Sequence, residues 1–168
     1  VYPEHFHPEA SYSATNFELR NDFENILNIA ANLPSDCTLV VKLHPANVRR
    51  SSSSLYRKIE NSSGVIFVKA DQSLDKLLSI TNLVVSINST IVVDAAKLGI
   101  PSFLLGDLEV SDGCVGVQRM GNFLDLKTSL NEQLKENAYL NQEWFASHCF
   151  DVYLWSADFA DRFHDAIC

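Results

Sequence analysis

No apolar run in this sequence approaches the roughly 20 residues that a helix needs to cross a bilayer, so no integral membrane segment is expected. The opening Val1-Tyr2-Pro3-Glu4-His5 also lacks the basic and apolar regions of a signal peptide. Basic residues are scarce: 13 Lys and Arg stand against 21 Asp and Glu, a net charge of -8. That balance gives no electrostatic footprint for nucleic acid or for an anionic membrane surface, so any phosphate must be held by a local site. Cysteine is sparse as well, and Cys37, Cys114, Cys149 and Cys168 lack the paired spacing of a zinc or redox motif. Reduced thiols in a cytoplasmic protein are the simplest reading. Nor is any stretch poor enough in apolar residues to read as a disordered linker. The 168 residues, 46% of them hydrophobic, suffice to bury one core, and 1–168 reads as a single domain. The first residue is Val rather than Met, which reads as a processed product or a piece of something longer.

What the chain does contain is an alternation of short strands and helices. Residues 17–33 repeat apolar side chains at helical spacing until Pro34 stops them. Residues 38–43 form a β-branched run with too few polar residues to alternate, as a buried parallel strand should. A serine-rich loop, 51–54, precedes a helical segment carrying Leu55, Tyr56 and Ile59. Strands are expected at 65–68, 83–87 and 101–105, with helices at 73–80 and from Ile91 to the Gly99 stop. Beyond Gly106 we expect a loop through Gly113, Gly116 and Gly121, then C-terminal helices from about 126, at 126–139 and 151–166. The pattern predicts an α/β fold, a Rossmann-like parallel sheet with helices on both faces. Ligands of such sheets sit at the carboxyl ends of the strands.

Two motifs fall at those ends. Lys42-Leu43-His44-Pro45 closes the strand at 38–43. Pro45 fixes the turn, while the His44 ring can donate to a phosphate oxygen. A histidine in a polar turn with no ligand is the plainer alternative. Asn88-Ser89-Thr90 lies between the strand at 83–87 and the next helix, where two hydroxyls and free backbone N–H groups can meet an anion. The same residues are also ordinary helix caps. Asp94 follows Thr90 by one helical turn and could accept ribose hydroxyls, or be merely an exposed helical acid. A third cluster, Glu4-His5-Phe6-His7-Pro8-Glu9, invites a metal. His5 and His7 would point to opposite sides of an extended segment, however, so no metal site is expected.

Taken together and in order, these residues resemble bacterial capsule polysaccharide biosynthesis proteins, including the β-Kdo transferases, whose nucleotide-binding half has the GT-B arrangement. The likeness covers about 2–106. His7-Pro8-Glu9-Ala10-Ser11 is similar to the family's Pro-Glu-Ala-Ser segment, and Asn21-Asp22 through Leu33-Pro34 to its following helix. Lys42-Leu43-His44-Pro45 resembles its Lys-Glu-His-Pro, with Leu43 in place of Glu. Ser89-Thr90 with Asp94-Ala95-Ala96 resembles its Gly-Thr and Glu-Ala element, and Gly99-Ile100-Pro101 through Leu105-Gly106 its Gly-Lys-Pro strand.

The resemblance implies a glycosyltransferase domain of capsule or lipopolysaccharide synthesis that binds a CMP-activated sugar such as CMP-Kdo. It implies a donor site of Glu9, Lys42, His44, Pro45, Asn88, Ser89, Thr90 and Asp94, with His44 also acting in catalysis and neither metal nor cofactor required. The implied reaction is an inverting displacement in which CMP leaves. The glycan or glycolipid acceptor would be held by an N-terminal acceptor domain absent from this sequence, without which the half binds but does not catalyse. Its place would be the cytoplasm, peripheral to the inner face of the membrane. The His-Pro and Ser/Thr pair also recurs in bacterial sialyltransferases and CDP-glycerol glycerophosphotransferases. Those readings stay open beside a non-catalytic binding module and, at the level of fold alone, a flavodoxin-like regulator.

Overall fold

The computed structural model of the chain describes residues 1–6, 19, 21–47, 53–61 and 64–134. Two three-stranded parallel sheets form its frame. The first joins β1 (Tyr2–Pro3), β2 (Leu39–Lys42) and β3 (Val65–Val68), in that order. The second joins β4 (Val84–Ser86), β5 (Ser102–Leu104) and β6 (Val117–Arg119). They meet at β1 and β4: the Val1 nitrogen donates to the Leu83 carbonyl at 2.7 Å, and Val85 N–H donates to the Val1 carbonyl at 2.9 Å. This is the slanted pattern of a parallel pair centred on Val84. Read across both sheets, the strand order is 3-2-1-4-5-6, the Rossmann order. The expected α/β fold is therefore the one adopted.

Strands β2 to β5 are buried almost throughout, and their side chains divide between two layers. Val41, Val65, Phe67, Val85 and Phe103 share one core with Ile26 and Ile29 of α1 (Asp22–Asn32), Tyr56 and Ile59 of α2 (Ser53–Glu60), and Leu126 and Leu130 of α5 (Phe123–Gln133). On the other face Val40, Ile66 and Val68 pack on Leu77 of α3 (Leu74–Leu78). There too Val84 and Leu104 pack with Ile91, Val92 and Ala95 of α4 (Ile91–Lys97). Helices on opposite faces are what right-handed crossovers give when strand order reverses at the centre of a sheet. No described helix is long and apolar enough to cross a membrane.

Several boundaries differ from the sequence expectation. The helix expected over 17–33 starts at Asp22, because Asn21 accepts the N–H groups of Phe23 and Glu24 as its cap. The serine loop is shorter than expected, since Ser53 already opens α2. The glycine-containing loop beyond Gly106 holds a 3-10 turn, Glu109–Ser111, and the short strand β6. Helix α5 begins at Phe123 rather than 126 because Asn122 caps Leu124 and Asp125. The end of that expected helix, and the helix expected over 151–166, lie outside the described residues.

Gly64 stands before β3 at φ +80, and its carbonyl accepts the Leu39 N–H. A Cβ there would come within 3.2 Å of the Cys37 carbonyl oxygen. Gly64→Ala is thus expected to lower stability by about 1–2 kcal/mol in urea unfolding, the cost of a left-handed backbone for an L-residue. An unchanged midpoint would show that the turn relaxes freely.

Candidate functional site at the carboxyl edge

Because the strands are parallel, Glu4-His5, His44-Pro45 and Asn88-Ser89-Thr90 follow β1, β2 and β4 at the same edge. Strand order reverses between β1 and β4, where open α/β sheets form their ligand crevice. β1 separates the strands of His44 and Ser89. Two strand spacings, roughly 10 Å, divide them, a gap that an imidazole and one phosphate can span.

The sequence-chosen residues have definite neighbours. His44 is half-buried, its ring Nδ1 accepts Ala46 N–H at 3.2 Å, and it stacks on Phe6 with centroids 5.6 Å apart. Pro45 is exposed. Lys42 donates from Nζ to the Ala70 carbonyl at 2.7 Å, tying β2 to the loop after β3, and burial lowers its pKa. Ser89 donates its N–H to Ser86 Oγ at 3.0 Å, and its own Oγ accepts Ile91 N–H at 3.4 Å. Thr90 stands at the N-cap position of α4 in αR geometry and caps with no side-chain bond. Asn88 is half-buried beside them. Asp94 is paired with Lys97 at 2.8 Å on the outside of α4. Glu9 and His7 lie outside the described residues.

Sequence reasoning missed a buried polar cluster beneath this edge. Glu4 is 6% exposed. Its Oε2 accepts the His44 N–H at 2.8 Å and its Oε1 the Tyr56 hydroxyl at 2.5 Å. Burial pushes its carboxyl up to about 7, and nearby Asp22 adds to the rise, while the bonds from Tyr56, His44 and Asn47 oppose it. Asp22, the first residue of α1, accepts the Tyr2 hydroxyl and, at 2.5 Å, the His5 N–H. His5 Nδ1 lies 3.4 Å from Asp22 Oδ1, so the histidine singled out for a metal sits among structural partners. Among the described residues, no group of three His, Cys, Asp or Glu could hold a metal ion. The one local signal was a charged pair, Glu4-His5, inside an apolar opening. Tyr56 and Asp22 read as a core aromatic and a helix start, and nothing nearby in sequence links them to Glu4.

A cavity of about 70 Å³ lies at the opposite edge, lined by Leu39, Leu83, Ile29, Leu77 and Leu130 among others. It is apolar, away from the strands' carboxyl ends and smaller than the roughly 300 Å³ of a small-molecule pocket, so we place the candidate site at the carboxyl edge instead. Comparison with protein-family models, with curated proteins and with solved structures finds no match.

Proposed function

We propose that this chain is the nucleotide-sugar-binding half of a GT-B glycosyltransferase of bacterial surface polysaccharide synthesis, taking a CMP-activated sugar such as CMP-Kdo. The observation that carries the reading is the shared carboxyl edge of the His44 turn and the Asn88-Ser89-Thr90 segment, on either side of β1. A phosphate there would meet the His44 ring and the hydroxyls of Ser89 and Thr90. The developing charge on the phosphate as CMP leaves would be stabilised by these fixed donors. The acceptor and the carboxylate that deprotonates it belong, in this reading, to the partner half of a GT-B enzyme.

In calorimetry CMP is expected to bind more tightly than UMP or GDP, and EDTA is expected to leave the affinity unchanged. His44→Ala should weaken CMP binding by about 1.5–3 kcal/mol, the range for a hydrogen bond to a charged group. Its thermal midpoint should barely move. Equal binding of the three nucleotides removes the cytidine assignment, and undiminished CMP binding by His44→Ala removes the phosphate site.

A further inference from the structure

We propose that Glu4 and Asn47 are positioning residues that clamp the His44 turn onto the end of β1, and so determine which ring nitrogen His44 offers to an anion. The proposal rests on the reading above only for the identity of that anion.

The turn from His44 to Asn47 is closed by Asn47 N–H donating to the His44 carbonyl at 3.0 Å. It is fastened at both ends to consecutive residues after β1. At its start the His44 N–H donates to Glu4 Oε2 at 2.8 Å, and at its close Asn47 Nδ2 donates to the His5 carbonyl at 2.6 Å. Glu4 and Asn47 are 6% and 5% exposed, so water does not compete for either bond. The Tyr56 hydroxyl occupies the second oxygen of Glu4 and prevents the carboxyl group from swinging away. Held in this shape, the turn directs Ala46 N–H at His44 Nδ1, 3.2 Å away. A nitrogen that accepts a hydrogen bond carries no proton, so the neutral ring bears its hydrogen on Nε2. Stacking on Phe6 restricts rotation of the ring. The turn therefore sets Nε2 as the ring nitrogen that carries the hydrogen, the tautomer in which that nitrogen can donate to a phosphate.

Two measurements test the clamp on the intact chain. The first is ring ¹⁵N NMR without nucleotide at about pH 8, above the ordinary histidine pKa of about 6.5. The native protein and Glu4→Gln, whose amide oxygen still accepts the His44 N–H, should show one dominant Nε2–H form. Glu4→Leu and Asn47→Leu should bring the two nitrogen signals towards each other. If both Leu variants retain the native ring signals, the proposal is overturned. The second is a double-mutant cycle with CMP. Glu4→Leu should weaken binding about tenfold when His44 is present and leave it unchanged in the His44→Ala background, because the two act as one unit. Equal losses in both backgrounds would assign Glu4 a merely structural role and overturn the proposal. Failure of His44→Ala itself to weaken CMP binding would instead remove the phosphate reading, leaving the ring NMR to decide the clamp. Should Glu4→Leu not fold, Asn47→Leu serves in both experiments.

Discussion

Asp22→Ala is expected to lower the free energy of unfolding by about 2–6 kcal/mol, the cost of orphaning two buried hydrogen-bond donors. The carboxyl group is 4% exposed, and the Tyr2 hydroxyl and the His5 backbone N–H are among its donors. Truncation leaves both buried near a void, and each orphaned donor costs about 1–3 kcal/mol. Loss of a negative charge from the first turn of α1 adds less, about 0.3–1 kcal/mol, so the orphaned donors dominate. Asn21, the cap of α1, is untouched, and the helix itself should persist in circular dichroism. Asp22→Asn keeps the volume and one acceptor oxygen and is expected to recover part of the loss. The check is urea unfolding of the three proteins with a common slope. A loss below about 1 kcal/mol for Asp22→Ala would mean that water reaches the cluster and satisfies the donors.

The second large effect is a dependence on pH carried by Glu4. Its carboxyl titrates near 7 in the folded chain against an ordinary value of 4.5, chiefly because burial disfavours the charged form. Between those values the folded chain holds a proton that the unfolded chain has released. The stability contributed by Glu4 is therefore fully present below about pH 4.5, falls as pH rises and is lost above about pH 7. At roughly 1.4 kcal/mol per pKa unit the span is about 3 kcal/mol. Glu4→Gln cannot titrate and keeps the shape. Native minus variant stability is thus expected to drop by about 3 kcal/mol between pH 4.5 and 8. The buried Val1 α-amine, held down at about 5, has the opposite trend but is common to both proteins and drops out of the difference. A flat difference across this range would show that the Glu4 carboxyl titrates as an exposed one does.

Both effects arise in a cluster that joins residues far apart in sequence. Glu4 bonds partners 40 and 52 residues away, and Tyr2 bonds a carboxylate 20 residues away. Leu43 is 2% exposed and packs in the core, while the carboxylate beside His44 comes from Glu4 after the neighbouring strand.

By itself the sequence determined the alternation that makes this fold. The β-branched runs at Leu39–Lys42, Val65–Val68 and Val84–Ser86 are mostly apolar, and the segments before and between them bear helical patterns. Such strands can be buried only in a parallel sheet covered on both sides, which also places His44 and Ser89 at one edge. The tertiary structure alone decided the rest. Tyr2–Pro3 is too short to carry a period, and becomes a central strand because β2 and β4 supply partners on both sides. Val117–Arg119 has two exposed residues of three and is a strand by virtue of pairing with β5. Periodicity is a local property that each segment carries with it. Strand pairing and the partners of a buried carboxyl depend on residues that only folding brings together, and they leave no local trace.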